Sequence, residues 1–153
     1  MRASSFGAAE PAARLAVLLR QVALAEPGVP IDVLAHSQGG VVARLGVVRA
    51  GADGSLPESV ENLVTIGSPH QGAPAATAVE ALEASTSGQA GLGLVRESGA
   101  AEGLDNRRPA IGQLAETSRV LEEMRSYPIP DGVRFTTLGG SGDLTVPAGA
   151  TDD

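Results

Sequence analysis

Ile31-Asp32-Val33-Leu34-Ala35-His36-Ser37-Gln38-Gly39-Gly40-Val41-Val42-Ala43-Arg44-Leu45 is the stretch that decides the fold. Ile31 to Ala35 follows a Pro27-Gly28 break and is apolar except for Asp32, as in a buried parallel strand. Val41, Val42, Leu45 and Val48 then recur at helical spacing until Gly51-Ala52-Asp53-Gly54 ends the run. Strand passes to helix within a few residues, and Ser37 stands at the junction. So sharp a turn needs small flanks, which Ala35 and Gly39 provide, and it strains the serine while exposing its Oγ. The N–H groups that open the new helix favour negative charge at that place.

The pattern is A-x-S-x-G, a variant of the G-x-S-x-G nucleophile elbow. A second copy, Ala3-Ser4-Ser5-Phe6-Gly7, has nothing strand-like before it and fails the context test. Two other readings compete at Ser37: a tight turn with an N-capping serine, and a phosphate-binding turn. No G-x-G-x-x-G supports the latter. Strand before and helix after favour the nucleophile.

Outward from this junction, a helix opens near Glu10-Pro11 and stops at Pro27-Gly28, with Leu15, Leu18, Leu19 and Val22 on one face. Val60 to Ile66 is a second strand, ending at Gly67-Ser68-Pro69. Residues 74–84 fit a helix, and the Gly/Ser/Ala-rich stretch 85–103 reads as a mobile loop. Ile111, Leu114, Leu121 and Met124 mark a further helix, and Val133 to Leu138 a third strand closed by Gly139-Gly140-Ser141-Gly142. Strands alternating with helices predict an α/β fold: a parallel sheet flanked by helices, expected on both faces. Ligands in such sheets bind beyond the carboxyl ends of the strands.

Composition narrows the chemistry. The 153 residues fit one domain. A net charge of −7 argues against nucleic acid as a partner. All the basic residues are arginine and there is no cysteine, which excludes Schiff bases, thiol nucleophiles and thiolate metal sites. Two histidines are too few for a multi-histidine metal site, and Asp143, Asp152 and Asp153 lack the spacing of a calcium loop. No cofactor, metal or transmembrane segment is expected. Hydroxyl and carboxylate chemistry remains.

Three segments carry a resemblance: Ala35-His36-Ser37-Gln38-Gly39-Gly40; the strand ending Gly67-Ser68-Pro69-His70-Gln71-Gly72; and Gly142-Asp143-Leu144-Thr145-Val146-Pro147 after a later strand. Together, from about Leu15 to Pro147, they resemble the α/β-hydrolase superfamily. Within it the similarity is to bacterial triacylglycerol lipases and GPI inositol-deacylase-like esterases. The resemblance implies Ser37 as nucleophile, Asp143 as triad acid, and the backbone N–H of Gln38 as half the oxyanion hole. His36, Gly39 and His70 would shape the site, with His70 held by local hydrogen bonds rather than acting as base. It also implies a small-molecule ester or lipid substrate and a lid-like region at about 73–110. The triad order is Ser, Asp, His, yet no histidine follows Asp143 in the last ten residues. Nor does a strand before Ile31 supply the second oxyanion donor. The expectation is a single, truncated hydrolase domain over 1–153, esterase-like but catalytically incomplete. The contrasting expectation is a non-catalytic remnant that binds or oligomerises through open sheet edges. Compartment is not encoded in these features.

Overall fold

A computed structural model describes residues 8–72 and 119–140. In chain order these form α1 (Ala9–Ala25), β1 (Ile31–His36), α2 (Gln38–Ala52), β2 (Val60–Ile66), α3 (Arg119–Ser126) and β3 (Arg134–Leu138). The expected helix at 74–84, the loop at 85–103 and the lid-like region lie outside the described residues, as does the 111–118 half of the last expected helix.

The strands form a parallel sheet in the order β1-β2-β3. His36, Ile66 and Leu138 stand side by side in the register, so all three strands end at one level. The expected helices on both faces are not found among the described residues. Strands that step across a sheet in one direction with right-handed crossovers put every connecting helix on the same side. Accordingly α2 packs on the sheet and α1 and α3 pack on α2.

Alternation along the strands sorts their side chains. Val33 and Ala35, Leu63 and Phe135 point toward α2, where they join Leu19, Ala43, Val47 and Val60 in one cluster. The other side of α2 meets α1 and α3 through Ala8, Ala12, Val41, Leu45, Leu121 and Met124. With both sides covered, α2 is apolar nearly all round. Each large side chain buried here contributes roughly 1.5–3 kcal/mol. Arg49 clamps α2 to α3 by donating two hydrogen bonds of 2.7 Å to Glu123.

The expected apolar stripe of α1 is rotated from the observed one. Leu18 and Val22 are exposed, while Ala8, Ala12 and Leu19 are buried, with Leu15 packed beside them. The reason is the closeness of α1 to α2. A Cβ added to Gly46 would lie 2.9 Å from the Ala12 carbonyl oxygen. Only small residues let the two backbones meet at that distance.

Candidate active site

Ser37 occupies the single residue between β1 and α2, at φ 53° and ψ −133°. Among the described residues it is the only non-glycine with positive φ. Such a conformation costs an L-residue on the order of 1–3 kcal/mol and persists only where the surroundings enforce it. Ser37 N–H donates to the Ile66 carbonyl at 2.9 Å, which extends the β1–β2 ladder into the turn. Its side chain makes no capping hydrogen bond. This argues against an ordinary N-capping serine, which would sit in the β region with its oxygen on the helix N–H groups. The first turn of α2 carries no acidic residue to oppose charge developing at the serine.

Around Ser37 the other expected residues fall as follows. His36 ends β1 on the exposed side of the sheet, because neighbours on a strand face opposite ways. Gln38 is the first residue of α2 and half-buried. Gly39 is exposed, with no atom within 4 Å of a Cβ placed there. The close approach falls one residue later. A Cβ on the buried Gly40 would lie 2.6 Å from Ser68 Cβ and 3.1 Å from Thr65 Cβ.

His70 lies in the turn after β2 and is fully buried. Its Nε2 shares a 2.9 Å hydrogen bond with Thr65 Oγ1, and its ring meets Phe135 edge-on at 5.3 Å. The guanidinium of the buried Arg44 lies 4.9 Å from the centre of the same phenyl ring. Hydrogen bonds among the described residues include none between Ser37 and either histidine. The turn leaves the sheet beside the elbow, and Gly67 N–H donates to the Leu138 carbonyl at 2.8 Å. Thus the loops after β1, β2 and β3 issue from one edge. Asp143, expected beyond the third, lies outside the described residues.

Gly40 and Ser68 stand in the sequence motifs without a role, and sequence reasoning singles out none of Thr65, Arg44 and Phe135 for the site. One signal was present: Arg44 is the sole charge in the otherwise apolar stretch from Val41 to Val48. Among the described residues no group of three or more potential ligands gathers to hold a metal, and no helix is long and apolar enough to cross a membrane. A cavity of about 460 Å³ opens at the opposite edge, between Gly51, Pro57, Val60, Pro130 and Val133, away from Ser37.

The profile of the PGAP1-like alpha/beta domain matches residues 19–96, just over half of the chain, and this span holds both the elbow and the turn after β2. The chain belongs to the PGAP1-like alpha/beta domain family. Among solved structures, the crystal structure of Bacillus licheniformis lipase BlEst2 in its mature form is similar, with a TM-score of 0.61 at 17% identity. The alignment covers 96% of this chain and 62% of the lipase. No curated protein sequence matches. This PGAP1-like chain therefore has an α/β-hydrolase fold and spans under two thirds of the lipase it resembles.

Proposed function

We propose that this chain is part of a serine hydrolase of the esterase or lipase class, cleaving carboxylic esters through an acyl-enzyme on Ser37. The observation that carries the reading is the strained backbone of Ser37 between strand and helix, with its hydroxyl not used as a cap. The lipase-like fold and the family membership support it. Ser37 Oγ attacks the ester carbonyl, and the backbone N–H of Gln38 stabilises the oxyanion at the start of α2. Asp143 orients a histidine that removes the Ser37 proton and returns it to the leaving alcohol. The substrate is a small ester or lipid, and the chemistry calls for no cofactor.

Neither His36 nor His70 is that base in this reading. His36 faces the open side of the sheet, and His70 is buried with its Nε2 on Thr65. The 153 residues alone then turn over esters near background. A purified chain that hydrolyses a short nitrophenyl ester faster than about 1 s⁻¹, within the ordinary enzyme range, overturns this expectation. The nucleophile is tested in the protein as its gene encodes it. A fluorophosphonate labels it, and label that persists in Ser37→Ala sinks the assignment.

A second reading, a non-catalytic module that associates through its sheet, is favoured by one observation. Leu34, Ile66 and Leu138 lie exposed on the face away from α2, and β1 and β3 are sheet edges among the described residues.

A further inference from the structure

We propose that Ser68 is a positioning residue for Ser37: its buried side chain is the seat on which the first turn of α2 rests, and its hydroxyl braces the carbonyl that holds the nucleophile's own N–H. The functional meaning rests on the reading of Ser37 as nucleophile; the geometry stands apart from it.

Two contacts converge on Ser68, which is only 1% exposed. The Ile66 carbonyl accepts both the Ser37 N–H at 2.9 Å and the Ser68 hydroxyl at 3.3 Å, so elbow and turn share one acceptor. On its other side Ser68 fills the space beside Gly40, where an added Cβ would stand 2.6 Å from Ser68 Cβ. Rotating the serine moves its oxygen and leaves that Cβ in place, so no rotamer relieves the clash. The seat is itself fixed. Pro69 and His70 are fully buried, His70 N–H donates to the Ser68 carbonyl at 2.9 Å, and the His70 ring is tied to Thr65. Thr65 and Ser68 thus form a floor beneath Gly40. A strained φ needs surroundings that enforce it, and Ser37 has no capping bond of its own. What holds it is the bond to Ile66 from behind and the seating of Gly40 ahead.

The test reads the elbow by amide hydrogen exchange in the 153-residue chain, at Ser37 and at Val133, whose N–H donates to the Pro130 carbonyl at 3.1 Å at the far end of the sheet, beside a denaturation curve. Ser68→Ala keeps the Cβ seat and removes the brace, and Ser37 exchange rises about threefold while Val133 is unchanged. Gly40→Ala lifts the start of α2 off its seat, and Ser37 exchange rises about tenfold or more relative to Val133. Gly40→Ala with Ser68→Gly vacates the clashing side chain and returns Ser37 toward its original rate. Should Gly40→Ala fail to fold, Ser68→Ala decides, since it introduces no clash. Exchange at Ser37 that stays constant, or changes only in step with Val133, overturns the proposal; so does a double variant no nearer to wild type than Gly40→Ala. In the protein as its gene encodes it, Ser68→Ala slows fluorophosphonate labelling of Ser37 with an unchanged denaturation midpoint. Absence of labelling in that unmutated protein refutes Ser37 as nucleophile and leaves the exchange result to judge the seat.

Discussion

At Ser37 the backbone sits where glycine is at ease and every other residue is strained. This separates two variants that both remove the hydroxyl. Ser37→Gly relieves the strain and is expected to stabilise the fold by about 1 kcal/mol, raising the melting temperature by several degrees. Ser37→Ala keeps a Cβ and therefore the strain. Equal melting temperatures for the two variants defeat the claim that the serine is held against its preference. The turn itself was legible because its requirements are local: a short apolar run, small flanks at Ala35 and Gly39, then helical spacing. The floor under Gly40 was not. Thr65 comes from the next strand and Ser68 and His70 from the turn after it, and nothing in the elbow sequence announces which neighbour will press against it.

Element by element, the strands were legible and the helix faces less so. Val60–Ile66 is rich in β-branched residues and the observed β2 has those bounds; β1 runs one residue past its apolar stretch, to His36. On α1 two of the four stripe residues misled, because Leu18 and Val22 carry hydropathy signal yet are exposed, while Leu15, Leu19 and the small Ala12 make the contact. Periodicity weighs size, whereas close helix packing selects smallness. The prediction is direct. Gly46→Ala, which drives a methyl toward the Ala12 carbonyl, destabilises the fold by about 1–3 kcal/mol in urea denaturation. Leu18→Ala on the exposed face changes stability by no more than about 0.5 kcal/mol. The reverse order would mean that α1 seats its leucine face instead. At the end of α2, Asp53 has its carboxyl held below the ordinary range by hydrogen bonds from the Ser55 hydroxyl and backbone N–H. A lowered folded-state pKa adds stability that is present above the unfolded value and lost as pH falls through the folded one. Ser55→Ala should therefore raise the Asp53 midpoint in a carbon-detected NMR titration, and an unmoved midpoint contradicts the cause assigned.

Across the whole molecule, all the described helices gather on one side of the sheet, although parallel sheets are normally covered on both. The side that carries no described helix is ordered in rows. Asp32, Asn62 and Arg134 form a hydrogen-bonded polar row near the start of the strands, and Leu34 and Val64, then Ile66 and Leu138, continue toward the candidate site. Leu34 is 70% exposed and Leu138 51%, far more than large aliphatic side chains in a sheet interior. Three strands about 4.8 Å apart and roughly 20 Å long offer on the order of 300 Å², against about 800 Å² per partner in a stable interface. Association through this face alone is therefore weak and grows with concentration. Sedimentation velocity on the 153-residue chain should show a weight-average mass that rises with protein concentration, and Leu34→Lys with Leu138→Lys should lower it without shifting the melting temperature. If the lysines leave the association intact, the edges of β1 and β3 carry it through their backbone groups, and proline at an outward-facing edge position becomes the disrupting change. A chain that stays monomeric up to about 1 mM, where exposed apolar surface normally drives association, removes the physical basis for the binding-module reading.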